Sequence, residues 1–546
     1  MEIIMHPIRK ISTSRGLPVL ILIALGLGLY FPFLHNPLFF DDLPFFKSGQ
    51  LEDVFLSGFS FNLRWLPYFI TAWIQLIFDN NIAVQRGINI ALHVATAAML
   101  YTLVKQISDH VAPHRNNDRA ALAAALLFLL SPIAVYAVGY LVQRTILMAT
   151  LFCLLALNTY FDGLVTRKKA YFIFSAGFYL LSAFSKQHAV LLPAVALAMT
   201  PLAIPFNRDA LKRLIFPLAL YLPVFVLVVL KSKGDVGHAY EPQGNEFLMG
   251  YLGAIDAHLA WALSACTQAG LFFKYLLLAI FPNPAWMSID MRVPFAEQLT
   301  QPKYVLAVIA FLAYGFTASI LLFKGDRKAL VGFALIAPWL LFGVEFSTVR
   351  IQEAFVLYRA YLWIPLLFLL IPALTNKLSN KQFWPLILIL AVAYTVVARD
   401  RLESFSTSFA LWDDAVQKLP KKENVPGAAR PYFNRANEYM ALKQRKMAIS
   451  DYSHAIKLNP ELATLYLARG NAYWLEKNYI LATQDINTVL RLEPDNANGY
   501  YVDGLISKSR GYNAEANRKF EIACKFKSMG ACIEIKKISS QLTTNN

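Results

Sequence analysis

The chain has 546 residues, of which 57% are apolar and only 16% are charged, and its mean hydropathy is +0.44. Soluble globular chains are about 45–50% apolar and about 25% charged, so this composition excludes an ordinary cytosolic enzyme. With 40 Phe, 26 Tyr, 9 Trp and only four Cys, it also excludes a disordered chain and a disulfide scaffold. The net charge of +16 is informative only through its distribution, because Lys and Arg in a membrane protein concentrate in cytoplasmic loops.

Residues 1–400 are predicted to form a polytopic membrane domain. The first apolar stretch, Leu17–Leu34, follows three basic residues and has no small-residue cleavage site, so we expect an uncleaved span with the N-terminus inside. A span needs roughly 20 apolar residues, and ten further stretches of about that length follow. The predicted spans lie near 17–34, 84–104, 120–140, 145–165, 170–185, 188–206, 214–230, 304–323, 329–345, 357–375 and 382–398.

Two longer segments between these spans are predicted to be external loops. The first, about 35–83, contains an interfacial helix over Trp65–Phe78, and the second, about 231–303, is expected to dip partly into the membrane. With eleven spans, the short basic clusters fall in inner loops, as the positive-inside rule requires. An odd number of spans places residues 401–546 on the opposite face from the N-terminus. The compact loops favour a bacterial inner membrane, with this part of the chain in the periplasm.

Residues 401–546 carry 21 Lys or Arg and 15 Asp or Glu, and they indicate a soluble domain. Asn459-Pro460 and Glu493-Pro494 lie 34 residues apart, which is the period of tetratricopeptide repeats. Aromatic and small residues recur with the same offset, so the predicted class is all-α: a membrane bundle followed by a tetratricopeptide solenoid. The predicted segments are a linker with a first helix at 401–428, repeats at 429–462, 463–496 and 497–530 within 429–536, and a tail at 537–546.

Two pairs of residues in the repeats have two open interpretations each. Asn437 and Asn471 occupy equivalent positions, where they either hydrogen-bond an extended polypeptide in the concave groove or simply keep that groove solvated. Cys524 and Cys532 are eight residues apart with Gly530 between them, so they form either a disulfide in an oxidising compartment or two buried thiols.

Two adjacent carboxylates, Asp41 and Asp42, lie among phenylalanines just beyond the first span. Desolvating a carboxylate is costly, and such residues at a membrane tend to be functional. Burial and a like-charged neighbour raise the pKa of one of them, which suits a general base that deprotonates a hydroxyl. The alternative is an interfacial Asp-Asp pair that caps the next helix.

Five basic residues are predicted near the outer ends of spans, on the same face as the acid pair. Arg suits bidentate phosphate contacts and Lys acts as a point charge, so the set suits an anionic lipid head group; interfacial snorkelling is the alternative for each one. The sequence has no zinc-protease, paired Cys-x-x-Cys, P-loop or dinucleotide-binding motif, and no metal is predicted. The candidate anion ligands are Arg64, Arg144, Lys186, Arg350 and Arg359.

Six short motifs occur in order ahead of the repeats: Asp41-Asp42, Arg64-Trp-Leu-Pro67, Asn89-Ile-Ala-Leu-His93, Tyr140-Leu-Val-Gln-Arg144, Ser185-Lys186 and Tyr358-Arg-Ala-Tyr-Leu362. This order, followed by the repeats, resembles the membrane-embedded C-type glycosyltransferases with tetratricopeptide tails, a family similar to the transmembrane-TPR protein O-mannosyltransferases and their bacterial relatives. The chain departs from the family pattern at Ser131-Pro132, at Gln187, and at Leu357-Tyr358 before Arg359.

The resemblance implies an inverting transfer of a sugar from a polyprenyl-phosphate carrier, without a cofactor, to a hydroxyl acceptor at the outer face. It implies that Asp41, matching the leading acid of the family, acts as base or orients the acceptor, with Asp42 beside it. Arg144, Lys186 and Arg359 match basic positions that we assign to the carrier phosphate. The repeats are expected to hold an acceptor polypeptide and raise its effective concentration; other expected partners are the lipid-linked donor and membrane lipids, with no nucleic acid.

Three functions are therefore open from the sequence. The leading one is a lipid-linked-sugar glycosyltransferase acting on protein. The second is a transferase, ligase or polymerase of the same class acting on a glycan or lipid. The third is a non-catalytic membrane scaffold of an envelope assembly.

Overall fold

A computed structural model describes residues 16–47, 49–79, 81–113, 117–205, 207–239, 257–420 and 425–544. The chain divides into two units, which we call the membrane unit (1–291 and 295–407) and the repeat unit (292–294 and 408–546). The predicted all-α class is confirmed: the described residues contain no β-strand, and Ala239 and Val349 form an isolated bridge.

In the membrane unit the described helices follow the predicted apolar stretches at most positions. Their bounds are α1 Gly16–Tyr30, α2 Asp42–Lys47, α3 Gln50–Leu56, α4 Trp65–Ile77, α5 Ile82–Val111, α6 Asn117–Leu129, α7 Val135–Val138, α8 Arg144–Thr166, α9 Lys169–Ser185, α10 Leu192–Ala203, α11 Arg208–Lys231, α12 Ala257–Ile280, α13 Pro302–Leu322, α14 Asp326–Phe342, α15 Ile364–Leu367, α16 Leu370–Thr375 and α17 Asn380–Glu403. The described 3-10 turns between them lie at Phe31–Phe33, Leu141–Gln143, Gln187–Leu191, Pro284–Trp286, Gly343–Phe346 and Leu357–Leu362.

Eight described helices are long and apolar enough to cross a membrane, so the chain is an integral membrane protein, but the predicted count of eleven is not reproduced. The stretch predicted near 120–140 ends as a helix at Leu129, just before Ser131-Pro132, because proline cannot continue a helical hydrogen-bond ladder. The stretch near 357–375 is broken by Pro365 and Pro372 into short pieces. The eight long segments are Gly16–Phe33, Ile82–Val111, Leu141–Thr166, Ala210–Lys231, His258–Ile280, Pro302–Leu322, Asp326–Phe346 and Asn380–Glu403.

The segment expected to be the second external loop contains α12, a 24-residue helix. Phe272 of this helix packs edge-on against Phe311 of α13, with the ring centroids 5.2 Å apart. The chain then folds back beside α12, where the Ala296 amide donates a hydrogen bond to Thr267 Oγ1 at 3.0 Å. Residues 257–301 therefore form an apolar helix followed by a returning segment. Residues 240–256, also within the expected loop, lie outside the described residues.

Helices α13 and α14 pack against each other so closely that only glycine fits at one position. A Cβ on Gly332 would lie 2.2 Å from the Leu322 amide nitrogen, well inside van der Waals contact. This pair leads directly into the 3-10 turn Gly343–Phe346, which carries one of the charged residues of the site described below.

The repeat unit begins with α18 Ser408–Gln417 and continues, in the described residues, as three antiparallel helix pairs and a final helix. Small residues lie where the helices touch: Ala436, Ala448, Ala482 and Ala516 are almost completely buried. The pairs are α19 Ala429–Ala441 with α20 Arg445–Leu458, α21 Ala463–Leu475 with α22 Tyr479–Leu492, and α23 Ala497–Ser509 with α24 Asn513–Lys525; α25 spans Met529–Thr544.

Candidate functional site

The two adjacent acids that follow α1 have different environments. Asp42 is the first residue of α2 and is fully buried; its carboxylate accepts hydrogen bonds from the Leu141 amide at 3.2 Å and the Val142 amide at 2.8 Å. Burial raises the pKa of Asp42 to about 7, although the amide hydrogen bonds and Arg86 favour the charged form. The side chain of Asp41, in contrast, is exposed. Asp42 therefore anchors the 140–143 turn, whereas Asp41 keeps an accessible carboxylate.

Arg86 of α5, a residue that the sequence did not single out, holds the chain just ahead of these acids. Its guanidinium donates to the backbone carbonyls of Asn36 and Pro37, the latter at 2.7 Å, and it is almost completely buried. The segment after α1 is thus attached through Arg86 and through Asp42. Asp41 therefore lies on a stretch of backbone that buried hydrogen bonds hold on both sides.

Lys186, predicted to bind phosphate, lies between α9 and the 3-10 turn Gln187–Leu191, and only 5% of it is exposed. Its Nζ lies 3.3 Å from Gln143 Oε1 and 3.4 Å from Thr145 Oγ1, and 5.6 Å from the ring centroid of Tyr358. None of the described acidic residues pairs with it. Burial, together with nearby Arg64, Arg359 and Arg350, holds the pKa of Lys186 well below its usual range. A buried ammonium ion in this position would gain stability from an anionic ligand.

Arg350 and Arg359 converge on Glu345, an acid that the sequence interpretation passed over. Glu345 Oε2 lies 3.1 Å from Arg350 Nε and 3.6 Å from Arg359 Nη1, and all three side chains are buried. A second acid, the more exposed Glu353, lies 3.7 Å from Arg359 Nη2. An ionisable residue inside a predicted span is a functional candidate by itself, and Glu345 at the end of the predicted span 329–345 could have been found by that criterion.

Arg64, the residue before α4, connects this part of the chain to the Lys186 segment. Its amide donates to the Phe184 carbonyl at 2.8 Å and its Nε donates to Gln187 Oε1 at 3.0 Å. Gln187 stands where the resembling family often has Glu, so at this position a neutral amide, not a carboxylate, faces the arginine. With Gln187 in place of Glu, the cations around Lys186 have one negatively charged neighbour fewer than in the family pattern.

Arg144, also predicted to bind phosphate, is not brought into this group. Its guanidinium is 1% exposed and donates to Asn89 Oδ1 at 2.9 Å, to Thr71 Oγ1 at 2.8 Å and to the Gln85 carbonyl at 2.8 Å. These bonds join α8 to α4 and α5. The geometry gives Arg144 a structural position, while the neighbouring Gln143 and Thr145 face Lys186.

Aromatic rings connect the acid pair to the cations. The Asp41 amide donates to Tyr140 Oη at 3.1 Å, and the Tyr140 ring packs against the Tyr358 ring, with centroids 6.1 Å apart. Tyr358 in turn faces Lys186 Nζ. Two rings therefore separate the exposed carboxylate of Asp41 from the buried ammonium of Lys186. Asp41 and Lys186 are thus connected through the side chains of Tyr140 and Tyr358.

A cavity of about 220 Å³ opens beside the cations. Its polar lining includes Gln187, His188 and Arg350. Its apolar lining includes Phe225 and Val228 near the end of α11. A cavity lined by the cationic Arg350 and by apolar side chains suits an amphiphilic anion, a ligand with a charged head and an apolar chain.

The repeat unit uses its charged groups differently. Arg435 Nε and Nη2 donate to both carboxylate oxygens of Asp451 at 2.7 and 2.9 Å, and Arg469 does the same to Asp485 at 2.9 and 2.8 Å. Asn437, one of the two groove candidates, accepts a hydrogen bond from Tyr452 Oη at 2.6 Å. Its carbonyl oxygen is therefore used within the repeat, and its amide group remains the part available to a polypeptide.

The other predicted residues of the repeats are placed as follows. Asn471 is half-buried on α21, equivalent in register to Asn437 on α19. A disulfide joins Cys524 to Cys532 across the turn between α24 and α25. Among the residues with described positions, no group of three or more His, Cys, Asp or Glu is arranged to hold a metal ion.

Two family profiles match the C-terminal region: a TPR repeat over residues 436–476 and a tetratricopeptide repeat over residues 463–496. The predicted tetratricopeptide repeats are thereby confirmed. No curated protein sequence matches the chain. Among solved structures, the first TPR of Spaghetti (RPAP3) bound to an HSP90 peptide is 23% identical, with a TM-score of 0.20, and the match covers 21% of this chain and 93% of that chain.

Two solved structures of the oligosaccharyltransferase of Archaeoglobus fulgidus are similar over a larger part of the chain. AglB in complex with an inhibitory peptide and a dolichol-phosphate is 16% identical with a TM-score of 0.41, and the match covers 78% of this chain and 59% of that chain. The enzyme tethered with an acceptor peptide is 15% identical with a TM-score of 0.42, covering 78% of this chain and 58% of that chain. The match thus spans less than two thirds of the archaeal enzyme.

Proposed function

We propose that this protein is an integral membrane glycosyltransferase that moves a sugar from a polyprenyl-phosphate carrier to a hydroxyl group on a polypeptide, at the outer face of the membrane. The observation that carries the proposal is the excess of buried cations around Lys186, which is 5% exposed and has no acidic partner among the described residues. A buried charge without a counter-ion is costly, and a phosphate bound beside it would remove that cost.

The chemistry of the transfer fits the arrangement of groups. As the bond between sugar and phosphate breaks, negative charge develops on the phosphate, and Lys186 with Arg350 and Arg359 can stabilise it where it forms. Asp41, held in place by the attached first loop, accepts the proton of the acceptor hydroxyl. The apolar wall of the cavity, formed in part by Phe225 and Val228, accommodates the isoprenoid chain of the carrier. No cofactor is required for this reaction.

The repeat unit supplies the acceptor. Tetratricopeptide arrays bind extended polypeptides in their concave face, and the amide groups of Asn437 and Asn471 are suitable partners for a peptide backbone. An acceptor held by the repeats reaches a high effective concentration, so the active site itself does not need a high affinity for it. In this proposal the repeats therefore select the substrate, and the membrane unit performs the reaction.

The test is transfer of labelled sugar from a polyprenyl phosphate to Ser- and Thr-containing peptides by the purified full chain in lipid nanodiscs. Lys186→Gln is expected to lower the rate at least about 100-fold, because it removes a charge that stabilises the transition state. Lys303→Gln is the matched control: Lys303 is an exposed lysine at the start of α13, and its replacement should leave the rate unchanged.

The other outcomes contradict the proposal in different ways. Transfer to saccharide acceptors but not to peptides would favour a glycan-directed enzyme of the same class. Absence of both transfer and polyprenyl-phosphate binding in the wild-type chain would favour a non-catalytic scaffold. Equal activity of the Lys186 and Lys303 variants would remove Lys186 from the site.

A further inference from the structure

His188 is a buried imidazole whose hydrogen-bonding capacity is unused among the described residues. Only 5% of it is exposed, and neither Nδ1 nor Nε2 has a hydrogen-bond partner in that part of the chain. Buried polar groups are almost always hydrogen-bonded, and an exception indicates strain or a missing ligand. The same side chain lines the 220 Å³ cavity together with Arg350. The unused imidazole therefore faces a space where a ligand could meet it.

One ring nitrogen of His188 points towards a carboxylate. Nε2 lies 3.7 Å from Glu345 Oε1, which is within ion-pair range but too long for a hydrogen bond. Glu345 itself is shared with Arg350 and Arg359. If Nε2 carries a proton directed at Glu345, then Nδ1 is the ring nitrogen that can bond a ligand in the cavity.

The charges around His188 decide its protonation. Four cations surround it, Arg350, Lys186, Arg359 and Arg64, against one close acid among the described residues, Glu345. Asp235, an exposed acid, also lines the same cavity. Burial, together with these cations, holds the pKa of His188 well below its usual range and so opposes a positive charge on the imidazole. An anion bound in the cavity would offset them and favour the imidazolium, with Glu345 on one side and the anion on the other.

We propose that His188 is a positioning residue for the donor, which donates a hydrogen bond from Nδ1 to the carrier phosphate and takes up a proton when that phosphate binds, while Glu345 holds Nε2. This inference rests on the proposed function, because it assigns the cavity to the phosphate end of the lipid donor. It adds His188 and Glu345 to the site, and it couples donor binding to proton uptake.

The experiment is isothermal titration of the full chain in detergent with farnesyl phosphate, in buffers of different ionisation enthalpy, which counts the protons taken up on binding. Farnesol serves as the uncharged ligand control. The wild-type chain is expected to bind farnesyl phosphate with uptake of about one proton near pH 7.5. His188→Gln is expected to lose that uptake and to bind at least about tenfold more weakly, since it removes a charged hydrogen bond.

Two further variants separate positioning from folding. His238→Gln makes the same chemical change at an exposed histidine outside the cavity lining, and it should keep both the affinity and the proton uptake. Glu345→Gln keeps the imidazole but removes its carboxylate partner, so proton uptake should fall while binding persists. Matched thermal unfolding of the variants excludes misfolding as the cause.

Several outcomes overturn the inference. If the wild-type chain and the His188 variant bind farnesyl phosphate with equal affinity and equal proton uptake, His188 has no role in donor binding, and the proposed function stands without it. If farnesol binds as well as farnesyl phosphate, the cavity does not recognise phosphate. If the wild-type chain binds neither, both this inference and the lipid-phosphate donor of the proposed function are wrong.

Discussion

The two units of the molecule treat buried charge in opposite ways. In the repeat unit, Arg435 donates two hydrogen bonds to Asp451 and one to Asp413, and Arg469 donates two to Asp485, so the charges are paired inside the fold. In the membrane unit, Lys186 is buried among further cations without an acidic partner of its own among the described residues. Paired charges specify how helices stack, whereas a buried excess of one sign costs stability and is expected where a ligand of the other sign binds. The comparison thus distinguishes structural charge from functional charge.

The third repeat makes this contrast sharper. Asp503 and Lys519 follow Arg469 and Asp485 by 34 residues each, and their side chains lie 2.9 Å apart. The third repeat therefore has an ion pair at the same two positions, but the acidic and basic residues have exchanged places. A structural pair tolerates reversal because only the mutual attraction matters, but a site that binds an anion needs cations specifically.

The largest expected effect is on the functional side of the comparison. Asp41→Asn keeps the shape of the side chain but cannot accept a proton, and loss of a positioned general base costs about 10²–10⁴-fold in rate. The measurement is transfer of labelled sugar in membranes, with protein amount matched. Asp53→Asn, at an exposed acid of α3 in the same loop, is the control. Full activity of the Asp41 variant would remove the acid pair from the mechanism, because Asn caps a helix nearly as well as Asp.

On the structural side, removing the disulfide should weaken the repeat unit. Cys524 and Cys532 enclose a short loop at the junction of α24 and α25. On the chain-entropy estimate such a closure contributes about 2–3 kcal/mol. The double variant Cys524→Ser with Cys532→Ser is expected to unfold at a lower denaturant concentration, with its free energy of unfolding reduced by that amount. Its sugar transfer at low temperature should be unchanged. Two free thiols in non-reduced peptides of the isolated wild-type protein would show that the bond does not form.

The ion pairs of the repeats give a slightly smaller expected effect. Arg469→Gln should lower the free energy of unfolding by about 2 kcal/mol, because Asp485 then remains mostly buried without its charged donor. The reversed double variant Arg469→Asp with Asp485→Lys should recover most of that loss, since the third repeat already carries this polarity. Failure of the reversed pair to recover any stability would mean that Arg469 acts through its contacts with Tyr466 and Tyr473 instead.

The last expected effect is a pH dependence of stability at Asp42. Burial raises the pKa of its carboxyl from 3.8 in the unfolded chain to about 7 in the folded one. Between these values the unfolded chain has lost the proton that the folded chain retains, so the contribution of Asp42 to stability falls as pH rises from about 4 to 7. Relative to Asp42→Asn, the wild-type melting temperature should therefore decline across that window, by at least about 2 °C. Parallel profiles of the two proteins would contradict the raised pKa.

Much of this protein follows from local sequence. The apolar stretches determine which segments enter a membrane, because the cost of burying polar groups in hydrocarbon allows little else. The 34-residue repeat determines the helix pairs of the repeat unit, since each pair must bury the same small and aromatic positions against its neighbours. The residue types of the site were visible too, as an acid pair after the first span and a scatter of outer cations.

Only the tertiary structure decided which of those residues meet. Arg144 and Lys186 were equivalent candidates in the sequence. Arg144 donates hydrogen bonds to Asn89, Thr71 and Gln85, whereas Lys186 lies near other cations and has no acidic partner among the described residues. Asp41 and Asp42 are adjacent in the sequence, but the backbone amides of the 140–143 turn donate hydrogen bonds to the carboxylate of Asp42 and not to that of Asp41. Hydrogen-bond partners that lie about 55 to 100 residues away cannot be deduced from local pattern. The physical reason is that burial and partner choice are set by packing between helices, and packing determines whether a charge is neutralised within the fold or left for a ligand.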